Sequence, residues 1–507
     1  MTSNGRYQQE VRERAVRMVF VPAFRLNDSR GRPATPRNPW RFMSATRRRT
    51  QLRLMKPPSW AYRCDWTHSH PTPRSKIALI QVQLCANSRK IPLVSETLGI
   101  VSYMSLDAEM HVPLDHDFTA HNEEVQAIWA AYHAGSPLRV PVLLPIDAHF
   151  YLLNEKLNPD SRLTFEDHYR NPDVTAKSQL WMADYFNFFI APHGDHLAGL
   201  PEKYVIQVET VRYVDTGYFG APVLFPERQG PYTQPILAAD KKGALLDRGL
   251  PSDPLLGWGD SYGEALQVHG ALLECVRRNP THRGRPVEVG PFYFDTDGPL
   301  TVATQLRGVE LYTDFYTDPE YVRELLDLIV EATIMRIRAY RAFFGLPEKI
   351  ERWLLYDDSI QMISTDMLQE FVLPAHRRLI DALAAGQINI HLCGDTARHF
   401  KILRDELGVR SFFTGFPIDF AQVREDLGPE VEILGGPCST IVRDASPEWV
   451  REECTRILRS GVLEGGRFIL TDASEIAPGT PLENLTALYE TVRTVGRVTV
   501  GEALGSP

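Results

Sequence analysis

The chain has 507 residues, 43% of them hydrophobic, and a net charge of −9. That length holds one large domain with an appendage, or two to three ordinary domains. No apolar run is long enough for a transmembrane helix, the N-terminus lacks an apolar signal core, and the 6 cysteines are scattered; no membrane protein or disulfide framework is expected, and a reducing cytoplasm is.

The charge is unevenly spread. Residues 1–100 carry 19 Lys/Arg against 5 Asp/Glu, which leaves 36 basic and 59 acidic residues for the remainder. Arg47-Arg48-Arg49 and Pro57-Pro58 lie in a stretch with little helical or strand periodicity. Such a stretch suits a nucleic-acid arm or a transit peptide. The plainer expectation is a solvated, poorly ordered extension over 1–109, with Met104 or Met110 as the true start and a single domain over 110–507.

Regular patterning begins near Pro113. Asn122 to His133 reads as an amphipathic helix, with Val125, Ile128, Trp129 and Tyr132 on one face. Val140 to Leu144 is a short buried strand that leads to Asp147 and His149. Tyr204 to Val208 is a strand ending at Glu209, and Val287 to Gly290 is a weaker one. Asp318-Pro319-Glu320 opens a long helix to Phe344, with proline in its first turn and acids near its positive end. Trp353 to Tyr356 is a strand ending at Asp357 and Asp358, followed by a helix to about Ala385. Ile388-Asn389-Ile390 is the next strand and ends at His391-Leu392-Cys393-Gly394-Asp395. Ser411 to Phe413, Val431 to Leu434 and Phe468 to Leu470 are three more, ending at Thr414, Gly435-Gly436 and Thr471-Asp472. A helix from about Pro481 to Val495 closes the domain.

Apolar strands alternating with helices imply a parallel sheet with helices outside. About eight such units in roughly 390 residues suit a (β/α)8 TIM barrel with insertions. An open doubly wound sheet is the alternative, and the absence of Gly-x-Gly-x-x-Gly after the first strand argues against a dinucleotide fold.

In such a barrel the active site forms at the C-terminal strand ends. The polar residues there are Asp147, His149, Glu209, Asp357, Asp358, His391, Cys393, Asp419, Cys438, Asp472 and Ser474. His391 and Cys393 are two apart in a strand and so share a face. An imidazole and a thiolate there can fill two positions of a zinc site, with Cys438, Asp472 or Glu475 as the third ligand. The alternative is a pocket-lining pair without metal. Asp357-Asp358 offers paired acids for proton transfer or for capping the next helix. Gly435-Gly436-Pro437 lets backbone approach a ligand, or simply turns.

These residues resemble a known family. Gly290 to Leu300, Arg307-Gly308, Asp314 and Asp318-Pro319-Glu320 are similar to the central segment of the uroporphyrinogen decarboxylase superfamily. His391-Leu392-Cys393-Gly394-Asp395 resembles its His-x-Cys-Gly stretch. Gly465-Gly466-Arg467-Phe468-Ile469-Leu470, continuing to Pro478-Gly479-Thr480-Pro481-Leu482-Glu483-Asn484-Leu485, resembles its closing segment. The resemblance spans about residues 113–500 and implies a (β/α)8 barrel. It also implies one of two chemistries. Decarboxylases remove acetate carboxyls from a tetrapyrrole without a cofactor. Cobalamin-dependent methyltransferases use zinc to turn a thiol into the thiolate that takes a methyl group from a corrinoid.

The chain departs from both patterns. The decarboxylase Met-Arg-Gln-Ala-Gly-Arg signature is replaced by Leu144-Pro145-Ile146-Asp147-Ala148-His149. The family's catalytic tyrosine falls at about Gln305, and its aspartate near Glu209 or Thr210. Its late histidine, or the methyltransferases' third zinc ligand, falls at Ser474.

The resemblance therefore implies an enzyme nearer the methyltransferase branch. Zn2+ would be held by His391 and Cys393 with Glu475, Asp472 or Cys438. Asp357, Asp358, Glu209 and Ser474 would be catalytic, while Asp147, His149, Gln305, Arg307 and Gly436 would contact a small-molecule substrate. The corrinoid would sit on a partner protein, because no Asp-x-His-x-x-Gly signature is present. A homodimer is expected from the family; membrane and nucleic-acid partners are not. The alternatives are a tetrapyrrole decarboxylase of porphyrin biosynthesis and a non-catalytic ligand-binding barrel.

Overall fold

A computed structural model describes residues 111–210, 213–292 and 296–498. The basic segment 1–109 lies outside these residues. Seven strands carry the architecture: β1 (Tyr204–Ile206), β2 (Arg285–Val289), β3 (Ile350–Tyr356), β4 (Ala384–Leu392), β5 (Val409–Thr414), β6 (Glu432–Gly435) and β7 (Phe468–Leu470). The last five form one parallel sheet in the order β7-β6-β5-β4-β3. β1 pairs with β2, also in parallel.

Two parallel bridges extend this sheet toward a ring. Val142 pairs with Leu470 of β7, which brings in the apolar segment 140–144 as an eighth stave. Asp297, in the chain beyond β2, pairs with Tyr356 of β3. The 140–144 segment makes a bridge rather than a full strand for a local reason: Pro141 and Pro145 have no N–H to give a ladder. β6 and β7 are buried along their whole length, as parallel strands covered on both faces must be.

The barrel interior is packed. Leu143, Phe413, Leu434 and Ile469 point inward from four neighbouring staves and form a layer with Tyr132. Tyr132 belongs to the helix Thr119–His133, which closes the N-terminal end of the barrel, and its hydroxyl donates to the buried Glu432 carboxylate at 2.5 Å. With that end sealed, the functional residues have only the opposite rim to occupy.

The helical expectations hold at Thr119–His133, Pro319–Phe343 and Leu482–Val495. The run after Asp358 differs. Instead of one helix it contains a 3-10 turn (Asp358–Met362), a short helical turn (Thr365–Met367), a π-helical turn (Leu368–Val372) and then the helix Leu373–Leu383. Pro374 lacks the N–H needed to bond one turn back, so the regular ladder cannot pass through it.

Candidate active site

The site is built at the C-terminal ends of β3, β4 and β7. In β4 alternate residues share a face, so His391 and Cys393 both turn inward, and His391 Nε2 lies 3.2 Å from Cys393 Sγ. The imidazole stands edge-on over Phe413, with ring centroids 4.5 Å apart, and beside Tyr356 at 5.3 Å. The inward layer of the barrel core is thus the floor of the site. Gly394 then turns the chain at φ +74°, a backbone conformation that favours glycine, beside the Gln361 side chain.

β3 delivers Asp358. Its Oδ1 accepts the Cys393 backbone N–H at 2.6 Å, and its carboxylate, the His391 ring and the Cys393 sulfur bring ligand atoms within 4.8 Å of one another. β7 delivers Ser474, whose Oγ is 3.4 Å from Cys393 Sγ. The site therefore gathers one nitrogen, one sulfur and one carboxylate donor, with a hydroxyl alongside. Burial pushes the Cys393 thiol up to about 12, Asp358 and Glu475 add to the shift, and Ser474 opposes it. A thiol in that negative, water-poor setting stays protonated unless a cation joins it.

The geometry favours a different third residue from those expected. Among the described residues Asp358 completes the group of three, while Glu475, Cys438 and Asp472 do not enter it. Cys438 instead starts the helix Ser439–Asp444 with its sulfur 3.4 Å from Thr440 Oγ1. The charge of Glu475 helps raise the Cys393 thiol. Asp472 is fully buried, and neither carboxylate oxygen completes a hydrogen bond of ordinary geometry among the described residues.

The other strand-end residues divide between the rim and the scaffold. Asp357 turns away from Asp358 and accepts from Leu300 N, Thr301 N, Thr301 Oγ1 and His376 Nε2 at 2.7–3.3 Å. Arg307 is buried against Asp314 at 2.8 Å and donates to Leu237 O at 2.7 Å, which ties elements together away from the β4 end. Asp419 caps the helix Phe420–Leu427. Glu209 is held by His168 Nε2 and Gln179 Nε2, each at 3.2 Å. Asp147 and His149 form a pair of their own, with Nδ1 2.7 Å from Oδ2. Gln305 donates to Asp297 Oδ2 at 3.1 Å.

Gly436 has a structural reason to be glycine. A Cβ there would fall 1.9 Å from the Thr471 carbonyl oxygen, where β6 and β7 run out side by side. Gly436→Ala is expected to cost about 1–3 kcal/mol, as overpacking does. Thermal unfolding checks this; an unchanged melting temperature would contradict it.

Sequence reasoning passed over Asp297 and Asp215. Asp297 receives Gln305, and its own N–H donates to Asp215 Oδ2 at 3.1 Å. Its carboxyl is held well above the usual carboxylate range by burial, then by the charges of Asp215 and Asp358. Arg336, buried on the long helix, pairs with Asp215 and donates to Thr296 Oγ1 at 2.7 Å. The signal was available: Asp297 lies inside the Gly290–Leu300 segment that carries the family resemblance, directly before the helix-starting Gly298-Pro299.

A ring of parallel strands with its polar residues gathered on the C-terminal rim is the (β/α)8 class. Comparison with known proteins places it further. Residues 265–495 match the family described as Uroporphyrinogen decarboxylase (URO-D). A methylated-thiol–coenzyme M methyltransferase from Methanosarcina mazei is 31% identical over 195 residues, which are 37% of this chain and 49% of that protein. The chain thus spans about half the length of this curated relative. A solved methyltransferase from Methanosarcina mazei superposes with a TM-score of 0.50 at 18% identity, over 73% of this chain and 98% of that one, a likeness of fold. The matched stretch, residues 265–495, contains the segments whose motifs resemble that family.

Proposed function

We propose that this chain is a cytoplasmic methyltransferase that moves a methyl group between a corrinoid and a small thiol. The observation that carries the reading is the nitrogen, sulfur and carboxylate donor set of His391, Cys393 and Asp358 at one barrel rim, in a chain related to a methylated-thiol–coenzyme M methyltransferase. The set suits zinc: imidazole and thiolate are its preferred ligands, a carboxylate oxygen is an accepted third, and a catalytic site needs three protein ligands with one position open. When bound there, zinc would lower the pKa of a substrate thiol so that it is a thiolate near neutral pH. The chain's own residues do the rest. Asp358 fixes the Cys393 backbone. Phe413 and Tyr356 hold the His391 ring in place and keep water from beneath it. Ser474, where related methyltransferases carry a cysteine, leaves the site with an oxygen beside Cys393 rather than a second sulfur. The corrinoid is expected on a separate protein. Among the described residues no helix is long and apolar enough to cross a membrane.

Two measurements on the full chain test this. Metal analysis should find about one zinc per chain, lost in Cys393→Ser and His391→Ala. Methyl transfer from methylcobalamin to coenzyme M should fall to background in both variants. Unchanged metal content in Cys393→Ser would remove the mechanism.

A further inference from the structure

One polar atom near this rim is sealed off and unused. Asp147 accepts the His149 backbone N–H at 2.8 Å through Oδ1 and faces the ring Nδ1 at 2.7 Å through Oδ2. A carboxylate at Nδ1 fixes the tautomer with its proton there, which leaves the Nε2 lone pair as an acceptor. That Nε2 is shut off from solvent and has no hydrogen-bond partner among the described residues. The ring is packed 4.8 Å from Phe165, so it cannot swing out to find one without losing that contact. Leaving such an acceptor unpaired is unfavourable, so the atom is poised to take a partner.

What covers Nε2 is glycine backbone. A Cβ at Gly230 would lie 2.1 Å from it, so any other residue would occupy the spot the lone pair points to. Gly230 sits in a loop between the short antiparallel strands Val223–Leu224 and Tyr232–Thr233. Among the described residues the tip of that loop is held by an exposed ion pair, Arg228 to Glu155 at 3.2 Å, a contact of little energetic weight, while its base is anchored by Phe225, whose ring lies 4.6 Å from the Arg170 guanidinium. The chain that leads into His149 is tied to the loop that borders the proposed metal site: Ile476 N donates to Pro145 O at 2.9 Å, and Ser474, two residues earlier, touches Cys393.

We infer that His149 is the general base for the incoming nucleophile, with Asp147 as its positioning residue and the Gly230 loop as the wall that lifts to admit the substrate. The inference rests on the thiol-methylation reading. The substrate is an S–H donor. Its S–H bond breaks, the proton passes to Nε2, the electron pair stays on sulfur, and the Nδ1 proton remains with Asp147. This is the arrangement general-base catalysis requires: an oriented imidazole whose free nitrogen is closed to bulk water.

The test counts protons rather than turnover. Coenzyme M is titrated calorimetrically into the zinc-loaded full chain near pH 7, in buffers of different ionisation enthalpy. The wild type should bind the thiol with almost no proton released to solvent, and His149→Gln should release about one proton per thiol bound. Equal release from both proteins overturns the base assignment and leaves the thiol-binding reading standing. Absence of thiol binding to either protein overturns both. Should the variant fail to fold, wild-type protein with ring-15N histidine gives the same answer: Nε2 of His149 should change from lone-pair to protonated on thiol addition, and an unchanged resonance sinks the inference.

Discussion

Asp357→Ala should destabilise the protein by on the order of 4 kcal/mol, the cost of leaving several buried donors unpaired at once. Asp357 and His376 are both fully buried, and the carboxylate is the shared acceptor for His376 Nε2, two backbone N–H groups at the start of the helix Pro299–Arg307, and the Thr301 hydroxyl. Removing it strips an anion from the positive end of that helix and leaves an imidazole without its partner. The packing is also close: a Cβ at Gly298 would lie 2.4 Å from Asp357 Cβ, so the helix start is laid directly on this side chain. Asp357→Asn keeps one acceptor oxygen and should lose clearly less. Denaturant unfolding reads the effect as a fall in midpoint with an unchanged slope. A loss below ~1 kcal/mol in the Ala variant would show that the network carries little energy. Activity should fall too, because the helix carries Gln305 and with it the Asp297 carboxylate.

That pair of adjacent acids shows where sequence reading stops. The strands were legible because each holds a short buried apolar stretch near its C-terminal end, as at Trp353–Leu355, Ile390–Leu392, Phe412–Phe413, Ile433–Leu434 and Phe468–Leu470. The His391–Cys393 pair was legible because a two-residue spacing in a strand fixes a common face. The roles of Asp357 and Asp358 were not. Neighbouring residues at a strand end point to opposite sides, and only the register of β3 against β4 says which is inward. Tyr356 pairs with His391, so Asp358 is the one that reaches Cys393, while Asp357 faces the helices. The third-ligand candidates read from the sequence, Cys438, Asp472 and Glu475, all follow Cys393; the residue that completes the group lies just past the end of the neighbouring strand, 35 positions before Cys393. His149 was visible as a strand-end histidine. Its tautomer-fixing partner and its glycine cover required coordinates.

Asp472→Asn should make the metal-free protein more stable relative to wild type as the pH rises, with the difference opening between about pH 4 and pH 7. Asp472 lies two residues past β7, is fully buried, and burial pushes its carboxyl up to about 7 against the partial opposition of the Ser474 and Asp472 backbone amides and the Thr471 side chain. An unfolded aspartate titrates near ~3.9. The folded pKa is therefore the higher one, so the native state binds the proton more tightly. The stability this contributes is complete below the unfolded value and is lost as pH rises through the folded value. A shift of about three units corresponds to on the order of 4 kcal/mol between the two limits. Asparagine resembles the neutral acid in shape and cannot ionise, so it escapes the loss. Near pH 4 the two proteins should unfold at similar denaturant concentrations; at pH 8, after chelator treatment, the variant should be a few kcal/mol ahead. The same wild-type-to-variant difference at both pH values would mean that Asp472 ionises normally in the fold. The outcome bears on the site, because Ser474, two residues on, touches the sulfur of Cys393. A neutral Asp472 in the metal-free protein leaves Asp358 and Glu475 as the charges that hold the Cys393 thiol protonated, and so as the groups a zinc ion would have to offset.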